Sequence, residues 1–271
     1  MILSYNPTME SPEIISVTEL ESPELLPYRT LRGNLFDRDG SFVADSPRVV
    51  GQLLGSGLRF KSLLCTPEYL AQERSRIEAA GVPKVFVGER KLLEGIVGHR
   101  IHHNVMAHLL RPANVPLEQL PDQVLMLSRL NNMENVGAIA RSAAALGVRG
   151  YAVPASGPHP YGRRAIRVST GHITRLATHI YEDPLETIRA FKAWGYRILA
   201  AEVTETAVPL ANFSPVPEKW VLILGNEEEG VPEEILKEAD TVLQIEMEPD
   251  VRSFNVAMAA SILMYKLKRN Q

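Results

Sequence analysis

Cysteine is nearly missing: Cys65 is alone among 271 residues. No disulfide can form within the chain, and the apolar run Leu63-Leu64-Cys65 predicts an inert buried thiol. Long apolar runs are missing too. No stretch approaches the length that spans a bilayer, and the acidic start lacks the basic end and apolar centre of a secretory signal, so a cytoplasmic protein off the membrane is expected. No Gly-x-Gly-x-x-Gly follows a strand-like run, and no Gly-Lys-Ser/Thr phosphate loop is present. The seven histidines are scattered away from any Gly-x-Ser-x-Gly elbow, which removes support for an esterase triad. His99 and His103 stand four apart, but Gly98 and the strand-like Val105 argue against the helix that a metal pair at this spacing needs, so no metal is expected.

Acidic residues are missing from one long interval. Between Glu134 and Glu182 there is none, while Arg141, Arg149, Arg163, Arg164, Arg167 and Arg175 all fall there. In a chain of net charge −3, such a one-signed interval is a candidate footprint for phosphates. The opposite bias marks the start. Glu10, Glu13, Glu19, Glu21 and Glu24 come with three prolines and no base up to Leu26, which predicts a poorly ordered leader over residues 1–27.

Residues 28–112 alternate helical and strand-like runs: helices over 49–54, 69–80 and 91–97, strands over 62–65, 85–87 and 105–110. Residues 113–122, with Pro116 and Pro121, read as a linker. From residue 123 to 271 the alternation resumes as α/β with a mostly parallel sheet, its ligand site at the carboxyl ends of the strands. The expected elements are strands over 124–127, 151–153, 197–200, 221–224 and 242–245, and helices from Asn135, over 185–194, 232–239 and 256–267, with an arginine-rich loop after 153.

Three strand-to-helix junctions carry the chemistry. The first, Leu130 to Arg141, leads into an amphipathic helix whose apolar face is Val136, Ile139, Ala140, Ala143 and Leu146. Asn135 can cap that helix, Gly137 permits close approach to the backbone, and Arg141 is a guanidinium among alanines. The second junction is Leu224-Gly225-Asn226-Glu227-Glu228-Glu229-Gly230, and the third runs from Ile245 to Ala257. Together, Asn-x-x-Asn-x-Gly-x-x-x-Arg, Gly-Asn-Glu-x-x-Gly and Ser-x-Asn-Val resemble the three motifs of the SpoU (TrmH-like) branch of the SPOUT RNA methyltransferases. The front half, through Gly40 to Ala44, Arg48 to Val50 and Val97 to Val105, resembles the family's ribosomal-protein-like substrate-binding domain. Physics alone predicts an unknotted doubly wound sheet; the resemblance implies a C-terminal trefoil-knot domain preceded by a smaller α/β RNA-binding domain.

The resemblance also implies methyl transfer from S-adenosylmethionine to a ribose 2′-hydroxyl, most simply of ribosomal RNA, with transfer RNA the alternative. A non-catalytic RNA-binding protein that kept the fold is the rival of another class. Arg141 would anchor phosphate and stabilise a developing oxyanion, since an arginine is unsuited to act as a base. Asn135 would orient Arg141 and the ribose, Glu227 matches the motif-two glutamate, and Ser253 and Asn255 would hold the cofactor carboxylate or the ribose. A plain helix cap stays open for Asn135, Ser253 and Asn255. Leu224, Gly225, Ile245, Met247 and Phe254 would bind the cofactor through backbone groups and an apolar floor. Arg163, Arg164 and Arg167, with Arg59 and Arg100 of the front domain, are the RNA-contact candidates. Ser169-Thr170-Gly171 resembles the family's turn between the halves of the knot domain, an ordinary turn being the alternative. The chain departs from the pattern at Asp45-Ser46 (usually Glu-Gly), His103-Asn104 (Gln-Gly), Glu246 (Pro), Phe254 (Leu) and Ala257 (Ser). The last helix offers Ile262 and Met264 beside its core stripe of Val256, Ala259, Ala260, Leu263 and Leu267, which predicts a homodimer through the knot domain.

Overall fold

The chain divides into two units, Met1–Pro112 and Ala113–Gln271. The computed structural model describes residues 11–19, 21–29, 39–97, 104–226, 228–248, 250–251 and 253–268. Glu227, Arg100, His99 and His103 lie outside them.

In the front unit, proline-started helices follow short buried strands. β1 (Glu13–Ser16) and α1 (Leu26–Arg29) precede β2 (Ser41–Asp45), α2 (Pro47–Leu54), β3 (Phe60–Cys65), α3 (Pro67–Ala79), β4 (Lys84–Val87), α4 (Arg90–Val97) and β5 (Val105–Leu110). Ser46 and Thr66 accept the Val49 and Tyr69 N–H groups at 3.4 Å, capping α2 and α3. The sheet order is β1-β4-β3-β5-β2, parallel where β4 meets β1 and β3, antiparallel around β5. The acidic leader is therefore corrected over its described residues. Its strand pairs with β4, Leu25 is buried in the core, as is Tyr28 directly after the leader, and Lys84 pairs with Glu24 at 2.5 Å and Glu13 at 3.8 Å. A few apolar side chains and one shared lysine outweigh the composition.

The rear unit holds β6 (Gln123–Leu127), α5 (Met133–Leu146), β7 (Gly150–Pro154), α6 (Arg163–Val168), β8 (Ala177–Tyr181), α7 (Pro184–Ala193), β9 (Arg197–Ala201), β10 (Val208–Pro209), β11 (Trp220–Leu224), α8 (Glu233–Leu236), β12 (Thr241–Gln244) and α9 (Val256–Leu267). Its seven strands run β10-β12-β9-β11-β6-β7-β8, parallel at every described pairing. β11 is buried along its whole length, as expected of a parallel strand covered on both faces.

Two further expectations are corrected here. Residues 113–122 are no free linker: Val115 donates to Thr178 O at 2.9 Å, Asn114 Oδ1 accepts the Ile180 N–H at 2.7 Å, and Leu120 enters the core. This segment satisfies the edge of β8, a strand the sequence pattern did not disclose. The arginine-rich loop contains α6, because Ala165 and Ile166 give it an apolar side to bury. A Cβ on Gly137 would sit 2.6 Å from Ala165 O, so the close approach expected at this glycine is made by α6.

Candidate active site

All three junctions leave the carboxyl ends of parallel strands of one sheet, β6 beside β11 and β12 across β9 from them. β6 and β11 pair in register, and Ser128 N–H continues the ladder to Leu224 O at 2.8 Å. At the first junction Asn132, not Asn135, caps α5, accepting the Glu134 N–H at 2.7 Å. Asn135 is instead buried in the first turn, where its Oδ1 accepts from Asn255 Nδ2 at 3.1 Å. Asn255 caps α9 through its own Oδ1, which takes the Ala257 N–H at 3.0 Å. One amide therefore ends the third junction, starts α9 and reaches the first junction. Farther along the same helix pair, Ser261 Oγ and Ser142 Oγ meet at 2.8 Å.

The second junction is a tight return. Gly225 has no room for a side chain, since a Cβ there would lie 2.2 Å from the carbonyl carbon of Gly230. Asn226 Oδ1 accepts the N–H groups of Glu228 (2.9 Å) and Glu229 (2.6 Å), closing the loop on itself. Its Nδ2 donates to Arg129 O at 3.2 Å, joining this loop to the first junction. Glu202, just past β9, adds a clamp that sequence reasoning missed. Its carboxylate takes the Val231 N–H at 2.8 Å and presses on Gly230 so closely that a Cβ there would meet it. Its only trace in the sequence is an acidic residue directly after an apolar strand.

These turns enclose a cleft of about 430 Å³, within the range of small-molecule sites. Leu224, Gly225, Ile245, Met247 and Phe254, the five expected cofactor residues, all line it, together with Ser253, Glu202, Leu243 and Leu263. An apolar floor, backbone groups packed too closely for a Cβ at Gly225, and a few polar side chains suit a nucleoside-bearing cofactor such as S-adenosylmethionine. Glu246, at the position usual for proline, accepts the Ala211 N–H at 3.2 Å and so ties its loop to the 3-10 turn at Leu210–Asn212.

Arg141 does not line the cleft. It is exposed on α5 and has no ion-pair partner among the described residues. Of the RNA-contact candidates, Arg164 is bound by Glu134, Arg163 and Arg167 stand on the same short α6, and Arg59 is exposed just before β3 in the front unit. Arg129 was not singled out from sequence. It has a left-handed backbone, φ +53°, which costs an L-residue about 1–2 kcal/mol. Its guanidinium faces Glu229 and Glu234 at 3.5 Å each, exposed pairs worth at most about 1 kcal/mol. Among the described residues no group of three or more His, Cys, Asp or Glu could hold a metal ion, and no helix is long and apolar enough to cross a membrane.

The chain is similar to known proteins. The 23S rRNA (adenosine(1067)-2′-O)-methyltransferase of Streptomyces laurentii is 29% identical over 154 residues, 56% of each chain. An uncharacterized tRNA/rRNA methyltransferase of Mycobacterium tuberculosis is 26% identical over 268 residues, covering 95% of this chain and 93% of its own length. Among solved structures, the AdoMet-bound rRNA methyltransferase from Sinorhizobium meliloti matches with a TM-score of 0.82 at 23% identity, over 94% of this chain and 97% of that one. The fold is thus of the α/β class that the three junctions implied. The profile of the SpoU rRNA Methylase family matches residues 122–265, more than half of the chain and all three junctions. The protein belongs to the SpoU rRNA methylase family.

Proposed function

We propose that the protein methylates the 2′-hydroxyl of a ribose in ribosomal RNA, using S-adenosylmethionine, in the cytoplasm. The observation that carries this reading is the Asn255–Asn135 hydrogen bond, which joins the first and third junctions beside a cleft lined by the expected cofactor residues. When bound, S-adenosylmethionine supplies a methyl group already activated on a sulfonium. What remains for the protein is to position the ribose and manage charge. Leu224, Leu243, Ile245 and Phe254 exclude water from one side of the cleft. The Asn255–Asn135 pair holds the start of α5 in place, and Arg141, on the second turn beyond, offers a planar fork to a backbone phosphate and to the charge that grows on the 2′-oxygen. The proton leaves to water or to a phosphate oxygen, because a guanidinium does not accept it. Ser253 lines the cleft where it can take a polar end of the cofactor, and Glu227 matches the motif-two glutamate in sequence.

The same reading has the active protein as a dimer. Met264 is fully buried and cannot serve an interface, but Met258, Ile262 and Tyr265 form an exposed stripe on the outer face of α9 beside Phe213 and Val216.

The test is chemical. Ribosomal and transfer RNA are each incubated with protein and methyl-labelled S-adenosylmethionine, then digested with alkali. A 2′-O-methyl blocks cleavage of its own linkage, so label is expected in alkali-stable dinucleotides from ribosomal RNA. Label in mononucleotides would move the reaction to a base, label from transfer RNA alone would change the substrate, and no label from either would favour a binding protein.

A further inference from the structure

Arg129 is not required by the fold that surrounds it. The bond joining this residue to the motif-two loop uses its carbonyl, which accepts from Asn226 Nδ2, and any residue has a carbonyl. Its backbone, φ +53°, is one that glycine or asparagine adopts more cheaply. Its guanidinium approaches Glu229 and Glu234 only at 3.5 Å, with all three side chains more than half exposed. Water and salt screen such pairs, so they do not explain why a strained position keeps an arginine. A strained residue at the edge of a site is a pointer to function when its side chain has chemistry to offer.

The location supplies that chemistry. Arg129 follows β6 by two residues, at the carboxyl end of the strand, between the first and second junctions. The neighbouring rim carries Glu228, Glu229 and Glu234, charges that repel a polyanion. We infer that Arg129 is an RNA-phosphate contact of the active site: Glu229 and Glu234 hold its guanidinium in the free protein, and a backbone phosphate takes it over when RNA docks. The exchange replaces two long exposed pairs by a bidentate one, for which the planar fork is suited. The inference rests on RNA being the substrate.

The experiment compares full-length wild-type protein with Arg129→Gly, Arg129→Asn and Arg129→Lys. Melting temperature, S-adenosylmethionine affinity and affinity for poly(U) across a salt series are the readouts. Glycine and asparagine suit the left-handed backbone, so both variants should melt at the wild-type temperature or about 2–4 °C above it. Cofactor affinity should stay within about twofold. Poly(U) affinity should fall about tenfold, and the log–log slope against salt should flatten by about 0.7, one phosphate contact on a single strand. Lysine should restore the slope, because it restores the charge, but only part of the affinity. Wild-type affinity and slope in both neutral variants would overturn the inference. So would joint loss of melting temperature and cofactor binding in both, which would make Arg129 a structural latch. A wild-type protein that binds S-adenosylmethionine but shows no salt-dependent hold on poly(U) would overturn it too, whereas failure to bind S-adenosylmethionine would count against the active-site reading itself.

Discussion

The two units bury polar groups in different ways. In the front unit polar side chains run through the core: Tyr28 Oη meets Ser62 Oγ at 2.7 Å, and His108 Nε2 meets Ser41 Oγ at 2.8 Å. Ser41 Oγ in turn donates to Asp39 at 2.5 Å, so its proton is committed and His108 must be the donor to it. In the rear unit β11 and residues 124–127 of β6 are apolar and buried, and polar side chains of the cleft stand beyond the carboxyl ends of the strands. The contrast separates two uses of burial. A buried polar chain with every link satisfied specifies one packing of a core, while polar groups at strand ends face a cleft and remain usable by a ligand. Titratable groups shifted by burial mark structure in both units: Cys65 is pushed up to about 12 by burial alone and is inert, and burial raises Tyr151 and Tyr181, whose hydroxyls donate to the carbonyls of Val136 and Leu127.

Arg141→Ala probes the chemical side of this contrast and has the largest expected effect. Because Arg141 stands clear of the cleft, turnover should fall by about a hundredfold or more while S-adenosylmethionine affinity barely changes. Single-turnover methylation beside calorimetric titration measures both; near-normal turnover would end its assigned role.

Acid should act on the front unit first. Burial, then the nearby Lys61, lowers His108 to about 4, against a weaker opposing pull from Asp39. Asp39 itself is held down to about 2, since hydrogen bonds from Lys61 and Ser41 together outweigh its own desolvation. The sign follows from proton uptake. Below pH 6.5 the unfolded chain protonates His108 before the folded one does, so stability is fully present above that pH and drains away down to about pH 4. The loss is about 3 kcal/mol over this window. Melting of the front unit against pH should show it, and His108→Gln, whose amide can still donate to Ser41, should flatten the profile.

How far the sequence carried the reading depended on whether a feature was local. The three junctions were legible because each keeps its chemistry in a short run of chain after one strand end, as Gly225 and Phe254 do. That Asn132 caps α5 while Asn135 turns inward is not legible locally, because both asparagines suit a cap. Only the packing of α9 on α5, through Asn255, decides which of them turns inward. Glu202 was invisible for the same reason, its partner Val231 being 29 residues away. β8 and residues 113–122 were missed together, since each is completed by the other. Met264, beside the core stripe in sequence, is fully buried, so the buried face of α9 is wider than the stripe.

Ser46→Gly is the smallest of the expected effects and refines the front half of the contrast. Ser46 stands where the family pattern has glycine, with φ +82° and ψ 142°, a region L-residues enter at a cost of about 1–3 kcal/mol. Glycine removes that strain, gives up a weak 3.4 Å cap and gains unfolded-state entropy. The net should be about 1 kcal/mol of added stability, read as a rise in the melting temperature of the front unit, with activity unchanged. A lower melting temperature would show that the cap outweighs the strain.

The most direct measurement is S-adenosylmethionine titration of residues 113–271 alone beside the full chain. The fragment must start at Ala113, since Asn114 and Val115 complete the edge of β8. It keeps every cleft-lining residue, so it should fold and bind the cofactor within about threefold of the full chain, a difference of well under 1 kcal/mol. A fragment that folds cooperatively and binds no S-adenosylmethionine would contradict the placing of the chemistry in the rear unit.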